Sequence, residues 1–302
     1  MKEEQQFDAI IVGGSYSGLA AGMALGRAMR RVLIVDSGLP ANRHTPISHN
    51  FITQDGIPPH TIAAKARAQV ERYPTVEFLS ERAIDARPTG SGYYLHMDSG
   101  AVYSAKKLVF ATGIRDVLPA IPGFPECWGI SVLHCPYCHG YEVRDEVTGV
   151  IGNGEKGFEL VRLISNWTKV LTLYTHGRST LTKEHLSALS AHQIAIVEGE
   201  VAELSHEHGQ LHGIRFKDGS AHSLHALYAM PAFEQHCPIP QELGCAMTED
   251  GYIQVDGLQR TSVPGIYACG DSTARLRTVA NAVSAGTTAG MMLNKELVVE
   301  EF

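Results

Sequence analysis

The sequence carries no basic excess. Its 25 lysines and arginines stand against 32 aspartates and glutamates, a formal charge of −7 with a pI near 6.1. That balance gives no electrostatic footing for nucleic acid or an anionic membrane. No apolar run is long enough to cross a bilayer. The polar, acidic start, MKEEQQ, is followed by no signal-peptide core, so a cytoplasmic location is expected. Cysteine is sparse, six residues in 302, which excludes a disulfide scaffold. In a reducing cytosol a close-spaced pair is expected to be catalytic rather than structural. One such pair exists. No second Cys-x-x-Cys accompanies it, so the two-pair pattern of a zinc site is missing. The length and the 44% of hydrophobic residues suffice for a sizeable core and suggest two domains.

What is present centres on His134-Cys135-Pro136-Tyr137-Cys138-His139-Gly140. Cysteines two residues apart can close a disulfide or open to two thiols, and so store two electrons. Thiolate is the reactive form, and a neighbouring imidazolium stabilises it. Either flanking histidine can shuttle a proton near neutral pH. Cys127, Cys237, Cys245 and Cys269 lack a close partner and read as small packing residues.

Ahead of this stretch, residues 8–12 (DAIIV) read as a buried parallel strand. Gly13-Gly14-Ser15-Tyr16-Ser17-Gly18 follows, then a helix rich in glycine and alanine, then strand 32–35 ending at Asp36. Strand, glycine turn, helix, strand and acid form the dinucleotide-binding pattern. Pyrophosphate is expected on the helix N-terminus and a ribose hydroxyl on the acid. Ser15 replaces the middle glycine, where backbone approaches phosphate. Residues 37–60 read as loop and include Asn50. Residues 61–72 read as a helix, and 76–79, 93–97 and 101–110 as strands. Thr112 and Gly113 follow the last of these, where small residues let a ligand come close. Pro119, Pro122 and Pro125 read as a linker.

A second such unit comes after the cysteines: strand 147–151, the turn from Gly152 to Gly157, helix 158–166 and strand 169–174. Laid over the first, Gly13 falls on Gly152, Ser15 on Gly154, Gly18 on Gly157 and Asp36 on Thr175. The ribose acid is missing here, while His176 and Arg178 lie nearby. If a nicotinamide nucleotide binds, NADPH is expected over NADH. Glu155 would oppose a pyrophosphate, so the unit could equally be a scaffold. Residues 183–228 read as short strands and turns, with His206, His208 and His212 on a solvated hairpin. Residues 229–244, with three prolines, read as a return linker. In the tail a strand ends in Gly270-Asp271, and a helix begins near Val279, its positive end suited to an anionic ring.

With TSVPGIYACGD at 261–271, HCPYCHGYE at 134–142 and the first glycine turn in one order, the chain resembles the low-molecular-weight thioredoxin reductases. It also resembles their relatives, the dithiol oxidases of the gliotoxin and holomycin pathways. The likeness covers essentially the whole sequence. It implies an α/β fold of two Rossmann-like domains, the FAD domain split by a central one. The expected boundaries are 1–117, 118–242 and 243–302. It also implies a homodimer. Gly13, Ser15, Tyr16, Gly18, Asp36, Asn50, Thr112, Gly113, Gly270, Asp271 and Val279 would serve FAD. Gly152, Gly154, Gly157 and Arg178 would serve NADPH. Cys138 would face the flavin and form the charge-transfer thiolate, and Cys135 would exchange with the substrate.

Three departures stand out. His139 replaces the aspartate that typically donates the proton. No arginine-rich 2′-phosphate signature follows Tyr174. Arg277-Thr278 stands where an arginine-glutamine pair is usual. HCPYCHG is closer to the oxidases, yet those typically lack the intact second glycine motif kept here.

The expected activity is therefore an FAD-dependent dithiol–disulfide oxidoreductase. It would pass electrons between flavin, the cysteine pair and a thioredoxin-like protein or small dithiol, with NADPH as donor. The alternatives are an oxygen-dependent dithiol oxidase independent of NADPH and, from another class, a flavin-bound regulator with a metal in the HCPYCH knuckle. Two nitrogens and two sulfurs within six residues would strain a tetrahedral site.

Overall fold

The computed structural model describes residues 6–302, which divide into two compact units. The first is built from residues up to Arg43, Asn50–Arg115 and Phe233–Phe302, the second from His44–His49 and Asp116–Ala232.

The first unit is organised by a seven-stranded sheet. Its order is Val76–Leu79, Val32–Val35, Gln6–Val12, Val102–Phe110, Gly92–Met97 and Ala83–Thr89, with Ile266–Ala268 also pairing with Val102–Phe110. Ala9, Ile10 and Ile11 are fully buried, as expected of a strand covered on both faces. Val12, Phe110 and Ala268 are in register across three parallel strands, so the segments after them leave one sheet edge together. Helix Tyr16–Arg27 and the C-terminal helix Val279–Glu301 approach closely because glycine lines the contact. A Cβ at Gly286 would stand 2.0 Å from the Ser17 carbonyl oxygen.

The second unit holds a parallel sheet ordered Ala195–Val197, Leu171–Tyr174, Thr148–Ile151, Ala226–Ala229 and Val132–Leu133. A three-stranded antiparallel sheet runs over Val201–Glu207, Gln210–Phe216 and Ala221–Ser223.

The internal repeat is visible in the backbone bonds. Gly13 N–H donates to Val35 and Asp36 N–H to Leu79; Gly152 N–H donates to Tyr174 and Thr175 N–H to Val197.

Some expectations need correction. The proline cluster at 119–125 is not a free linker: Ile121, Phe124 and Cys127 are buried in the second unit's core, and Phe124–Cys127 is a short helix. Within 183–228, Lys183–Ala191 is a helix, opened by a capping box between Thr182 and His185. Residues from Phe233 onward pack with the first unit, ten residues before the expected return, because Cys237 and Ile239 enter its core.

Candidate active site

In the first unit, Gly13 has φ +108°, and a Cβ there would meet the Ala111 carbonyl oxygen at 2.2 Å. A Cβ at Gly18 would stand 1.8 Å from the Gly13 oxygen, so strand, turn and helix close on one another only with glycine in both places. Ser15 is the N-cap of Tyr16–Arg27, extended, and its side chain makes no capping bond. The first amides of that 12-residue helix are thus left to an anion. Asp36 ends the next strand with its carboxylate against Gly14. Thr112 Oγ1 is buried without a hydrogen-bond partner among the described residues, and Gly113, at φ +63°, faces open space.

Gly270 lies against Ser17, where a Cβ would be 2.5 Å from the hydroxyl oxygen. Asp271 follows it, 3.9 Å from Arg277 Nε. Thr278 caps the helix that starts at Val279 by accepting from Asn281 N–H at 3.1 Å, a structural use for the departure at that position. Asn50 lies in a left-handed turn, φ +60°, with its N–H on Asp55.

These residues fit a dinucleotide such as FAD: free helix-end amides, a carboxylate one strand over, and an orphaned hydroxyl at the same sheet edge. Tyr16 differs from the rest. Its hydroxyl donates to Pro59 O at 3.0 Å and accepts from Asn42 Nδ2 at 3.3 Å, so only its backbone stays in the turn.

The second turn fits a nucleotide less fully. A Cβ at Gly157 would meet the Gly152 carbonyl carbon at 2.7 Å, and Gly154 has φ +56°, so the close packing is kept. Asn153, however, fills part of the turn itself. Its Oδ1 accepts from Gly154 N and Thr180 N, both at 2.8 Å. Its Nδ2 donates to Arg178 O at 2.9 Å, which draws Arg178 beside the turn. Glu155 lies 3.3 Å from His185 Nε2, while His185 Nδ1 accepts from Thr182 N–H, so the carboxylate keeps its opposition to phosphate. Thr175 turns inward, donating to Gly177 O at 2.6 Å. His176 does not join Arg178 as a phosphate cation: its Nδ1 accepts from Val201 N–H at 2.9 Å and serves the loop.

The redox turn also lies in the second unit. Strand Val132–Leu133 delivers His134, and Cys135 caps the short helix Pro136–His139. Pro136 sits at a first helical position, where its missing N–H costs nothing. Cys135 and Cys138 form a disulfide with Cα atoms 5.3 Å apart. A Cβ at Gly140 would meet the Pro136 carbonyl oxygen at 2.5 Å and the Trp167 ring at 2.8 Å. Burial pushes the His139 imidazole below its usual range, the His49 ring adds to this, and Glu142 opposes it. The net result is an imidazole that stays neutral at pH 7 and can accept a proton.

The sequence reading missed His49 and Glu142. Glu142 was within reach of spacing arguments, three residues past His139, but His49 carries no local signal. The four other cysteines are buried thiols, as expected of packing residues. Burial raises Cys237 to about 11 and Cys269 to about 12. His206 Nδ1 accepts from Gly209 N–H within its hairpin. Among the described residues no three His, Cys, Asp or Glu side chains are grouped to hold a metal, nor is any helix long and apolar enough to cross a membrane.

Two dinucleotide-type βαβ units and a redox disulfide define a flavin-linked disulfide oxidoreductase. The chain belongs to the pyridine nucleotide-disulphide oxidoreductases, whose family pattern matches residues 7–286. It is 32% identical to thioredoxin reductase tcpT of Claviceps purpurea (strain 20.1), over 97% of this chain and 95% of that protein. The solved structure of HlmI superposes with a TM-score of 0.94 at 34% identity, covering 100% of this chain and 95% of that one. An oxidoreductase from Agrobacterium tumefaciens gives 0.92 at 34% identity, over 98% and 99% of the two chains. FAD and NADPH are the cofactors of this family.

Proposed function

We propose that Cys135 exchanges with the thiol substrate, that Cys138 is the flavin-side cysteine, and that His139 is the acid–base group between them. The observation that carries this reading is a neutral, half-buried imidazole placed directly after a disulfide. A substrate thiol attacks Cys135 Sγ, its proton goes to His139, and Cys138 leaves as a thiolate. The second substrate thiol then releases Cys135, which keeps the remaining proton. The substrate loses two electrons and the pair gains them. FAD supplies a two-electron acceptor and donor. Gly13, Ser15, Gly18, Asp36, Asn50, Thr112, Gly113, Gly270, Asp271 and Val279 would hold it. Gly152, Gly154, Gly157 and Arg178 would hold NADPH.

The substrate is a thioredoxin-like protein or a small dithiol or disulfide, in keeping with the printed name of the Claviceps relative. Exposed Tyr137 and Tyr141 beside the pair suit either. The four buried free thiols favour a reducing, cytoplasmic setting. The dimer of the resemblance would use an apolar groove of about 550 Å³ in the first unit, lined by Met23, Phe51, Ile62 and Met291 among others. A second reading, dithiol oxidation with oxygen as acceptor and no NADPH, is favoured by Asn153 filling the second turn and by Thr175 facing inward.

Anaerobic stopped-flow reduction tests the residue roles. His139→Ala should slow flavin reduction by dithiothreitol by roughly 10²-fold with FAD content unchanged. Cys138→Ser should react with an aromatic disulfide, releasing one aromatic thiol and leaving a stable mixed disulfide on Cys135. A wild-type rate in His139→Ala, or trapping only in Cys135→Ser, would reverse the assignments.

A further inference from the structure

His139 is not alone in its part of the second unit. His49, from the segment His44–His49 that packs with this unit rather than with its sequence neighbours, sets its ring edge-on to the His139 ring. The centroids are 6.2 Å apart and the planes cross at 86°. On its other side His49 Nε2 lies 3.5 Å from Glu142 Oε1. Glu142 itself belongs to the redox turn, three residues past His139. The segment His44–His49 is therefore tied back to the turn at two points, the ring of His139 and the carboxylate of Glu142. Ser48, immediately before His49, is buried, which fixes the backbone that carries the ring.

We propose that His49, anchored on Glu142, is a positioning residue for His139. It fixes the orientation of that imidazole and holds it as a proton acceptor toward the Cys135–Cys138 pair. The proposal deepens the assignment of His139 above and rests on it.

The chemistry follows from charge. A thiol attacking Cys135 must lose its proton to a base that is free at the working pH. An imidazole that is already charged cannot serve. A second imidazole against the ring makes a charge on His139 less favourable, and Glu142 keeps that second imidazole in place and limits the repulsion. The ionisable groups around His139 are His49 from segment 44–49, and Cys138 and Glu142 from its own turn. Tyr228, from strand Ala226–Ala229, is coupled to Glu142, but burial and that carboxylate raise its phenol, so it stays neutral and adds no charge. Glu142 has a side chain 40% exposed against 20% for His49, so the anchor of the couple lies toward solvent.

The test is a histidine titration on the oxidised, flavin-loaded protein. With ¹³C-labelled histidine, the His139 ring signal is assigned by its loss in His139→Ala. Its midpoint is then followed in wild type, His49→Gln and His49→Phe. Both variants should move the His139 midpoint upward. The acid limb of dithiothreitol reduction should move up with it, and the rate well above the midpoint should stay near wild type in His49→Phe, which keeps the ring packing. An unmoved midpoint in both variants would overturn the proposal. A rate lowered equally at every pH would also overturn it, since that is what a merely structural role produces. Flavin content and circular dichroism identify a variant that has misfolded, and either variant suffices. The ring titration does not depend on turnover. If His139 proves dispensable for reduction, its assignment fails in the kinetics, while the coupling to His49 is still decided by the midpoint.

Discussion

Asp36 and Thr175 hold the same place in two copies of one βαβ unit. Each follows the second strand, and each donates its N–H to the end of the third, Asp36 to Leu79 and Thr175 to Val197. The side chains part there. Asp36 offers a carboxylate beside the glycine turn, whereas the Thr175 hydroxyl is spent on Gly177 O. The chain thus carries one turn with a carboxylate beside it and one without.

Asp36→Ala should weaken FAD binding while Thr175→Ala leaves it unchanged. A charge-assisted hydrogen bond contributes about 1.5–3 kcal/mol, a loss of roughly 10- to 150-fold in affinity. Fluorescence of released flavin on dilution measures it. Equal retention of flavin in both variants would contradict the role given to Asp36.

At the second turn the nucleotide preference should rest on Arg178, which Asn153 holds close through its carbonyl. Arg178→Ala should raise the apparent dissociation constant for NADPH by a similar roughly 10- to 150-fold and leave NADH unchanged. Rapid flavin reduction by NADPH that is indifferent to Arg178→Ala would remove that residue from the site.

Much of this arrangement was legible because the chemistry restricts the residues. Only glycine fits at Gly13 and Gly18, and a doubly covered strand must read as apolar, so Val32–Val35 was read to its ends. Strand Ala83–Thr89 escaped because it is an edge strand, where Asp85, Arg87 and Pro88 are tolerated and no apolar run forms. Helix Lys183–Ala191 buries only Leu189 and so lacks the apolar stripe that marks a helix. Prolines near Phe124 and Ile239 suggested linkers, although those two side chains are fully buried. In the site, Cys135, Cys138 and His139 announce themselves by spacing. His49 does not, since tertiary folding alone brings it to His139.

A stability prediction concerns the first unit. Lys107 is almost fully buried and donates to Glu296 at 2.6 Å and to Glu300 at 2.5 Å, and Tyr267 also donates to Glu296. Burial works against the charge on Lys107, but its two carboxylates raise it overall. Burial likewise opposes the charge on Glu296, but Lys107 and Tyr267 lower it overall. A depressed carboxyl stabilises the fold above its unfolded value, about 4.3, and that contribution is lost as pH falls through the folded value. The raised lysine contributes below its unfolded value, about 10.4, and that is lost as pH rises through the folded one. Glu296→Gln should therefore cost roughly 1–3 kcal/mol at pH 7, less than a fully buried pair because Glu300 is half exposed. The gap to wild type should begin to narrow below about pH 4 and close only once the pH has fallen through the depressed folded value. Urea unfolding at several pH values checks it, and a gap independent of pH would contradict the pairing.

The central claim, that the Cys135–Cys138 disulfide is an electron store working with FAD, is tested most directly by counting electrons. Flavin-loaded protein is titrated anaerobically with dithionite while flavin absorbance is followed. Wild type should take up about four electrons per chain, two each for the flavin and the disulfide, and the Cys135→Ser/Cys138→Ser double variant about two. Dithiothreitol should bleach the flavin of wild type only. Two electrons in both proteins, or equal bleaching by dithiothreitol, would contradict the account.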